Sequence, residues 1–128
     1  MPEYKELNQG QQRAILESKL RTVDFPLPDI RDFSRIDSIA WQVNGNERVV
    51  DQCIEIAKRS SNKRETLTLL DNAMKHCKGQ RESPSEIGDK LSGALTDMKE
   101  ITAYHSYPPE GINRILIRNH LLPEEDEK

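Results

Sequence analysis

The amino-acid sequence predicts an all-α protein, a compact bundle of six or seven short helices. Apolar residues recur three and four positions apart through most of the 128-residue chain, as they do on one face of a helix. No segment of useful length alternates apolar and polar residues in the manner of a half-buried strand. Aromatic residues make up 5% of the chain, and the prevalence of Leu, Ile and Ala over them also favours helices.

The length and the apolar runs indicate one domain and no membrane association. A chain of this length forms about one domain around one core, which we place at residues 1–122. Residues 123–128, "PEEDEK", are predicted to form a disordered acidic tail. The longest apolar runs hold three residues, and the N-terminal stretch contains no apolar signal core, so we expect a cytoplasmic protein.

The first third of the chain predicts helices on either side of a proline-containing turn. The apolar stripe of "NQGQQRAILESKLRTV" predicts a helix that ends near Val23, because Pro26 and Pro28 follow. The next stretch, "PDIRDFSRIDSIAWQV", has a helical rhythm that is interrupted at Ser34, and it is interpreted as two short helices. Trp41 is interpreted as a core or rim aromatic residue, and "NGN" after it predicts a turn and a helix cap.

Residues 45–79 predict two consecutive amphipathic helices joined by a short basic elbow. The second helix is expected to start after Asn62, an N-cap with Glu65 three residues on, and to stop at Gly79 as a C-terminal glycine. The apolar positions of the first helix are Val49, Val50, Cys53, Ile54 and Ala57. The residues that we expect to be buried together between the two helices are Val50, Ile54, Leu67 and Leu70.

The C-terminal region predicts two further helices within residues 83–122. Ser83 as an N-cap, with Pro84 at the first helical position, marks the start of one of them. Its narrow apolar stripe consists of Ile87, Leu91, Ala94, Met98 and Ile101. The last helix begins after Pro108, and its inward residues are expected to be Ile112, Ile115, Leu116 and either His120 or Leu122. Tyr104 and Tyr107 are expected to cover an end of this helix.

The sequence predicts no catalytic residue, no metal site and no cofactor. His76, His105 and His120 include no pair at the i, i+4 spacing that places two imidazoles on one helix face. Cys53 and Cys77 fall on apolar helix positions and are interpreted as small buried residues. The chain has neither a glycine-rich phosphate loop nor a "GxSxG" elbow. We therefore expect a protein without enzymatic activity.

Charge is distributed unevenly along the chain, and this predicts a partner-binding surface. Residues 58–81 hold seven basic residues against two acidic ones, whereas residues 1–57 hold seven against ten. Opposite patches of this kind can join two molecules, so we expect a protein partner or self-association. The predicted basic residues are Lys58, Arg59, Lys63 and Arg64 of the elbow, and the predicted acidic ones are Glu47, Asp51 and Glu55. A solvated turn without a partner explains the same charges equally well.

Nucleic acid is a second partner class for the basic segment 58–81. A helix-turn-helix can be fitted to residues 46–77 with the elbow as its turn. Against it, the net charge of the chain is −3, and the segment contains no aromatic residue on which a base could stack. A protein partner is therefore the favoured prediction.

Two stretches, "ILESKLRTVDFP" and "RIDSIAWQVNGNERVVDQCIEIAKRSSNKRETLTLLDNAM", resemble the effector-associated domains of bacterial conflict systems, which are small helical modules of death-fold-like character. The resemblance covers roughly residues 5–79. The positions that carry it are Leu16, Leu20, Phe25, Ile39, Ala40, the turn 44–46, Val49, Val50, Ile54, Ala57, Leu67 and Leu70.

The resemblance implies a non-catalytic adaptor that recruits an effector by like-with-like association. The effector would be a protease, a caspase-like enzyme or a nucleotide-driven switch. The chain departs from the family in its basic residues at 58–64, where a tryptophan-alanine and glycine elbow is more usual, and in its further helices after residue 83. A stand-alone regulator or inhibitor of phage or plasmid origin is therefore the second hypothesis among binding proteins.

Overall fold

The described residues form six α-helices. The structure is a computed structural model that describes residues 4–21, 30–100 and 106–124, and these ranges contain no β-strand. The predicted all-α fold is therefore confirmed. After a 3-10 turn at Tyr4–Glu6, the helices are α1 (Gln9–Arg21), α2 (Ile30–Gln42), α3 (Glu47–Lys58), α4 (Lys63–Gly79), α5 (Pro84–Asp97) and α6 (Pro109–Arg118). None of these helices is long and apolar enough to span a membrane.

Helices α3 and α4 occupy the middle of the bundle. Helix α3 packs against α1, α4 and α5, and helix α4 packs against α2, α3 and α6. One buried cluster joins side chains from all six helices, so α5 and α6 share a core with residues 5–79. The four residues predicted to lie between α3 and α4 are all buried, which confirms the helix registers. The largest fully buried side chains are Ile36, Ile39, Ile56, Leu67, Leu70, Met74, Ile87, Leu91, Ile112, Leu116 and Leu121.

The predicted start signals of the helices are confirmed. The side chain of Asn62 accepts a hydrogen bond from the backbone N–H of Glu65, and Asn46 caps α3 in the same way. Ser83 forms a full capping box with Glu86, with Pro84 as the first helical residue. Short polar side chains at these three positions therefore satisfy N–H groups that the helices themselves leave unpaired.

Helix α2 is one continuous helix, so the prediction of two short helices was wrong. Ser34 is exposed on the outer side of the helix and interrupts nothing. The inward stripe begins with a charged residue, Asp32, of which 2% is exposed, and this concealed the pattern in the sequence. The stripe continues through Ile36, Ile39, Ala40 and Val43. The expected helix end near Val23 lies outside the described residues.

The ends of α4 and α6 differ from the prediction. Gly79 is still helical, and the left-handed residue that ends α4 is Arg81, with φ 60°. The N–H of Glu82 donates to the carbonyl of Cys77 at 3.1 Å, which closes a Schellman motif. Helix α6 ends in the same way at His120, with φ 63°. The reversal there turns Leu121 fully inward, while Leu122 is partly buried against the core and His120 is exposed.

Candidate functional site

The basic elbow between α3 and α4 is an internal junction of the fold. The N–H of Tyr107 donates to the carbonyl of Arg59 at 2.8 Å, and the N–H of Ser61 donates to the carbonyl of Tyr107 at 2.9 Å. Beneath this bridge Ser60 is buried and accepts a hydrogen bond from the Thr66 hydroxyl. The segment leading into α6 therefore covers the elbow. Tyr107 lies two residues before α6, and its hydroxyl accepts a hydrogen bond from the N–H of Lys99 at 2.7 Å. Tyr104 lies outside the described residues.

Two of the four predicted basic residues are tied to distant parts of the fold. The Arg59 guanidinium donates to the carbonyl of Met98 at 3.2 Å and to Glu55 at 3.4 Å, and 15% of its side chain is exposed. Arg64 points away from the elbow and binds Asp32 of α2 through two nitrogens, at 2.9 and 3.1 Å. These two arginines hold parts of the fold together. A docking role for them stays a prediction.

The other two predicted basic residues make local contacts. The Lys58 ammonium lies 3.8 Å from the Glu55 carboxylate on the same helix. The Lys63 ammonium donates to the carbonyl of Ser60 at 3.3 Å, at the start of its own helix. The Lys58 side chain is 38% exposed and Lys63 is half-buried, and interactions this near the surface contribute little stability. Lys63 is therefore the elbow residue that a substitution can test most simply.

The predicted acidic residues also have partners within the same chain. Lys19 of α1 binds Asp51 and lies 3.8 Å from Glu47, while Glu55 faces the end of its own helix. Glu47 and Asp51 remain largely exposed, at 81% and 57% of their side chains. The structure thus brings Glu55 together with the elbow but places Glu47 and Asp51 beside α1. Residues of both predicted patches therefore form ion pairs within one molecule, and Glu55 is the acidic residue that pairs with the elbow.

The cysteines are buried, reduced thiols. Burial raises the pKa of Cys53 to about 12, and burial together with Glu82 raises that of Cys77 to about 12. Both thiols are protonated at neutral pH and lack the thiolate that nucleophilic attack requires. In the described part of the chain, no three His, Cys, Asp or Glu side chains come together as a metal site would need. His105 lies outside that part.

An open surface groove lies between α1 and α2. It encloses about 480 Å³, and Leu16 and Phe33 supply apolar surface to it. The Arg13 guanidinium lies over the Phe33 ring, 3.9 Å from its centroid. Ile30, at one end, is 65% exposed. Polar side chains complete the lining, namely Gln9, Gln12, Ser34 and Asp37.

Trp41 extends this surface along α2. It is 39% exposed, and the Tyr4 ring meets it edge-on at a centroid distance of 6.3 Å. The Lys5 ammonium lies 5.3 Å from the Trp41 ring centroid. The Tyr4 hydroxyl donates a hydrogen bond to Asp37 at 2.7 Å. Burial, and to a smaller extent this hydrogen bond, raises the pKa of Tyr4. Tyr4 therefore braces both the exposed tryptophan and the groove.

Residues on one side of α2 form a continuous surface with α1. Ile30, Phe33, Asp37 and Trp41 follow one another at helical spacing beside the buried stripe, and Phe33 also packs against the core. We define the α1/α2 face as Lys5, Arg13, Ile30, Phe33, Asp37 and Trp41. The sequence-based prediction missed this face because α2 was interpreted as two short helices. A helical projection of α2 as one unbroken helix separates this face from the buried stripe, and it could have revealed the face from the sequence.

No protein-family model, curated protein or solved structure matches the chain.

Proposed function

We propose that the protein is a non-catalytic interaction module, an adaptor or regulator, whose α1/α2 face takes up an amphipathic helix of a protein partner. The observation that carries the proposal is the position of Ile30 and Trp41. They are the two large hydrophobic side chains exposed in the described part of the chain, and both lie on the outer side of α2. Ile30 lines the groove, and Trp41 lies one helical turn beyond Asp37 of its lining. Singly exposed apolar residues are ordinary, but two on the same side of one helix are typical of a docking surface.

The dimensions of this surface favour a helical partner. Ile30 and Trp41 are eleven residues apart on one helix, which corresponds to about 16 Å or three turns. Apolar anchors of a partner helix recur over a similar distance when it lies in a groove. The aromatic rings of Phe33 and Trp41 supply the large contact area that dominates such interfaces. A partner helix along α2 would cover both rings.

Charge adds specificity to the apolar contact. Lys5 and Arg13 each lie over an aromatic ring of the face, so partner binding would partly desolvate two cations beside the rings. Acidic residues flanking the apolar stripe of the partner would compensate these charges. This proposal keeps the charge complementarity expected from the sequence but moves it from the elbow to the α1/α2 face.

The adaptor role implied by the resemblance to effector-associated domains fits this proposal. Like-with-like association would require a second copy of such a module to offer the helix. The reduced, buried thiols are compatible with the cytoplasm as the site of action, which forms part of the same proposal. Nucleic acid is disfavoured at this face, because Asp37 lies at its centre and the net charge of the chain is −3.

Trp41, the single tryptophan of the chain, provides the test. Its fluorescence is followed while the protein is titrated with an amphipathic helical peptide whose leucine stripe is flanked by glutamates. The control peptide carries lysines in place of the glutamates. We expect saturable binding of the acidic peptide and at least about tenfold weaker binding of the basic one, a difference of about 1.4 kcal/mol. Equal binding of both peptides would contradict the charge argument.

Matched variants locate the binding. Ile30→Glu places a carboxylate on the face, at the start of α2 where a negative charge suits the helix dipole. Asn72→Glu makes the same charge change at an exposed position of α4. We expect the first variant to lose about tenfold in affinity for the acidic peptide and the second to bind as the parent does. Loss of affinity in both variants would contradict the proposed site.

A further inference from the structure

Three arginines from two helices line a small pocket at the other side of α2. Arg31 and Arg35 of α2 and Arg64 of α4 surround a space of about 220 Å³, together with Asp32, Glu65 and Thr68. This is smaller than the roughly 300–1,000 Å³ of pockets that hold drug-sized ligands. The pocket therefore suits a small ligand, and its lining suits one that carries negative charge.

Buried carboxylates hold two of these arginines in place. Asp32, 2% exposed, accepts two hydrogen bonds from Arg64, and Asp71, with no exposed surface, accepts one from Arg35 at 2.7 Å. The guanidinium groups nevertheless remain partly at the surface, because 38% of the Arg35 side chain and 42% of the Arg64 side chain are exposed. Arginines fixed from beneath in this way are preorganised for a ligand from above.

The charges around the pocket do not cancel. The lining itself holds three arginines and two carboxylates, Asp32 and Glu65, and Arg64 forms an ion pair with Asp32. Asp71, however, is shared between Arg35 and Lys75, whose ammonium lies 3.1 Å from it, so this group carries one positive charge in excess. The pKa of Asp71 is held below its usual value, since hydrogen bonds from Ser38, Arg35 and Lys75 outweigh the effect of burial, so its carboxylate stays ionised.

The direction of the helices adds to the positive potential. Asp32 and Arg64 pair near the starts of α2 and α4, while Ser38 and Asp71 pair further along both helices, at 2.6 Å. The two helices therefore run side by side in the same direction, and their N-terminal turns meet at the pocket. Each N-terminus contributes a partial positive charge that reinforces the arginines.

We propose that this pocket binds a phosphate-type oxyanion, with Arg31, Arg35 and Arg64 as its ligands. Planar guanidinium groups match the geometry of phosphate oxygens and form charge-assisted hydrogen bonds with them. The site lies apart from the α1/α2 face, and it does not depend on the function proposed for that face. The same ion pairs also hold α2 against α4, so the test must separate binding from stability.

The test is a titration of the isotope-labelled full chain with sodium phosphate at ionic strength held constant with sodium chloride. We expect saturable NMR shifts of the Arg35 and Arg64 side-chain N–H groups and of the Thr68 amide. Glycerol phosphate serves as a second probe. Tighter binding of glycerol phosphate than of inorganic phosphate assigns the site to a phosphate ester, and the reverse order assigns it to the free ion. Shifts that do not saturate with either probe overturn the proposal.

Variants that spare the buried ion pairs decide where the anion binds. Thr68→Glu brings a carboxylate to the pocket wall without removing an arginine, and Asn72→Glu, one turn further along α4, is the matched control. We expect phosphate affinity to fall at least about tenfold in the first and to stay unchanged in the second. Arg31→Gln, at an exposed position, is expected to weaken binding several-fold and decides the question if Thr68→Glu does not fold. Unchanged affinity in a folded Thr68→Glu or Arg31→Gln variant overturns the assignment.

Discussion

Replacing Gly79 by Ala is expected to stabilise the protein, even though a glycine at a helix end is commonly kept for its left-handed conformation. Gly79 is the last residue of α4, and the left-handed position belongs to Arg81. A Cβ atom at Gly79 would meet no atom within 4 Å. The substitution therefore gains the difference in helix propensity between Gly and Ala, about 1 kcal/mol.

Arg81→Gly is expected to stabilise the same helix end for the complementary reason. A left-handed conformation costs an ordinary residue roughly 1–2 kcal/mol, whereas glycine adopts it without a steric penalty. After allowance for the greater freedom of glycine in the unfolded chain, we expect a gain of about 1 kcal/mol. In a domain of this size, each such gain corresponds to a rise of about 4 °C in the melting temperature.

Urea unfolding of both variants measures these gains, and two other glycines serve as controls. A Cβ at Gly93 would lie 2.6 Å from the Asn119 side-chain oxygen, so Gly93→Ala should show no comparable gain. At Gly45, φ is 68° and a Cβ would lie 1.9 Å from that of Tyr4, so Gly45→Ala should be strongly destabilising. A loss of stability in Gly79→Ala would refute the Schellman ending at Arg81 and restore the ending expected from the sequence.

Two further predictions concern charged residues of α4. Lys63→Glu should change the free energy of unfolding by no more than about 0.5 kcal/mol, whereas Arg64→Glu should cost about 3 kcal/mol or more because it sets a second carboxylate against buried Asp32. Paired chemical unfolding curves measure the contrast. Equal effects of the two substitutions would contradict the Arg64–Asp32 ion pair. Asp71→Asn should cost about 2–3 kcal/mol at neutral pH. Because the folded-state pKa of Asp71 is lowered, its stabilisation is present above the unfolded pKa of about 4 and is lost as the pH falls through the folded pKa. Unfolding measured from neutral to acidic pH should therefore show the difference between parent and Asp71→Asn shrinking on acidification, and a constant difference would contradict this role.

The helices that the sequence predicted well are those with local signals. Asn62 and Ser83 correctly predicted the starts of α4 and α5. Apolar spacing correctly predicted the inward faces of α3 and of α5 as far as Met98. Capping bonds and helical stripes depend on residues within a few positions of one another, so a single sequence contains them.

The features that the sequence did not reveal depend on distant contacts. Asp32 broke the apolar pattern of α2 because its ion-pair partner, Arg64, is 32 residues away. The elbow looked like a solvated or docking surface because the residue that covers it, Tyr107, comes from the segment before α6. Arg81 and His120 adopt the left-handed conformation that glycine usually adopts at a helix end. The residue types at these positions therefore do not predict where α4 and α6 end.

The measurement that tests the proposed function most directly is a hydrogen-exchange and NMR footprint of the bound acidic amphipathic peptide. We expect perturbed signals to cluster at Arg13, Ile30, Phe33 and Trp41, and Ile30→Glu to need about tenfold more peptide for the same footprint while its melting temperature stays that of the parent. A footprint centred on the elbow at Lys58 and Lys63, or one that saturates at the same peptide concentration in Ile30→Glu, would contradict the assignment of the α1/α2 face as the docking surface.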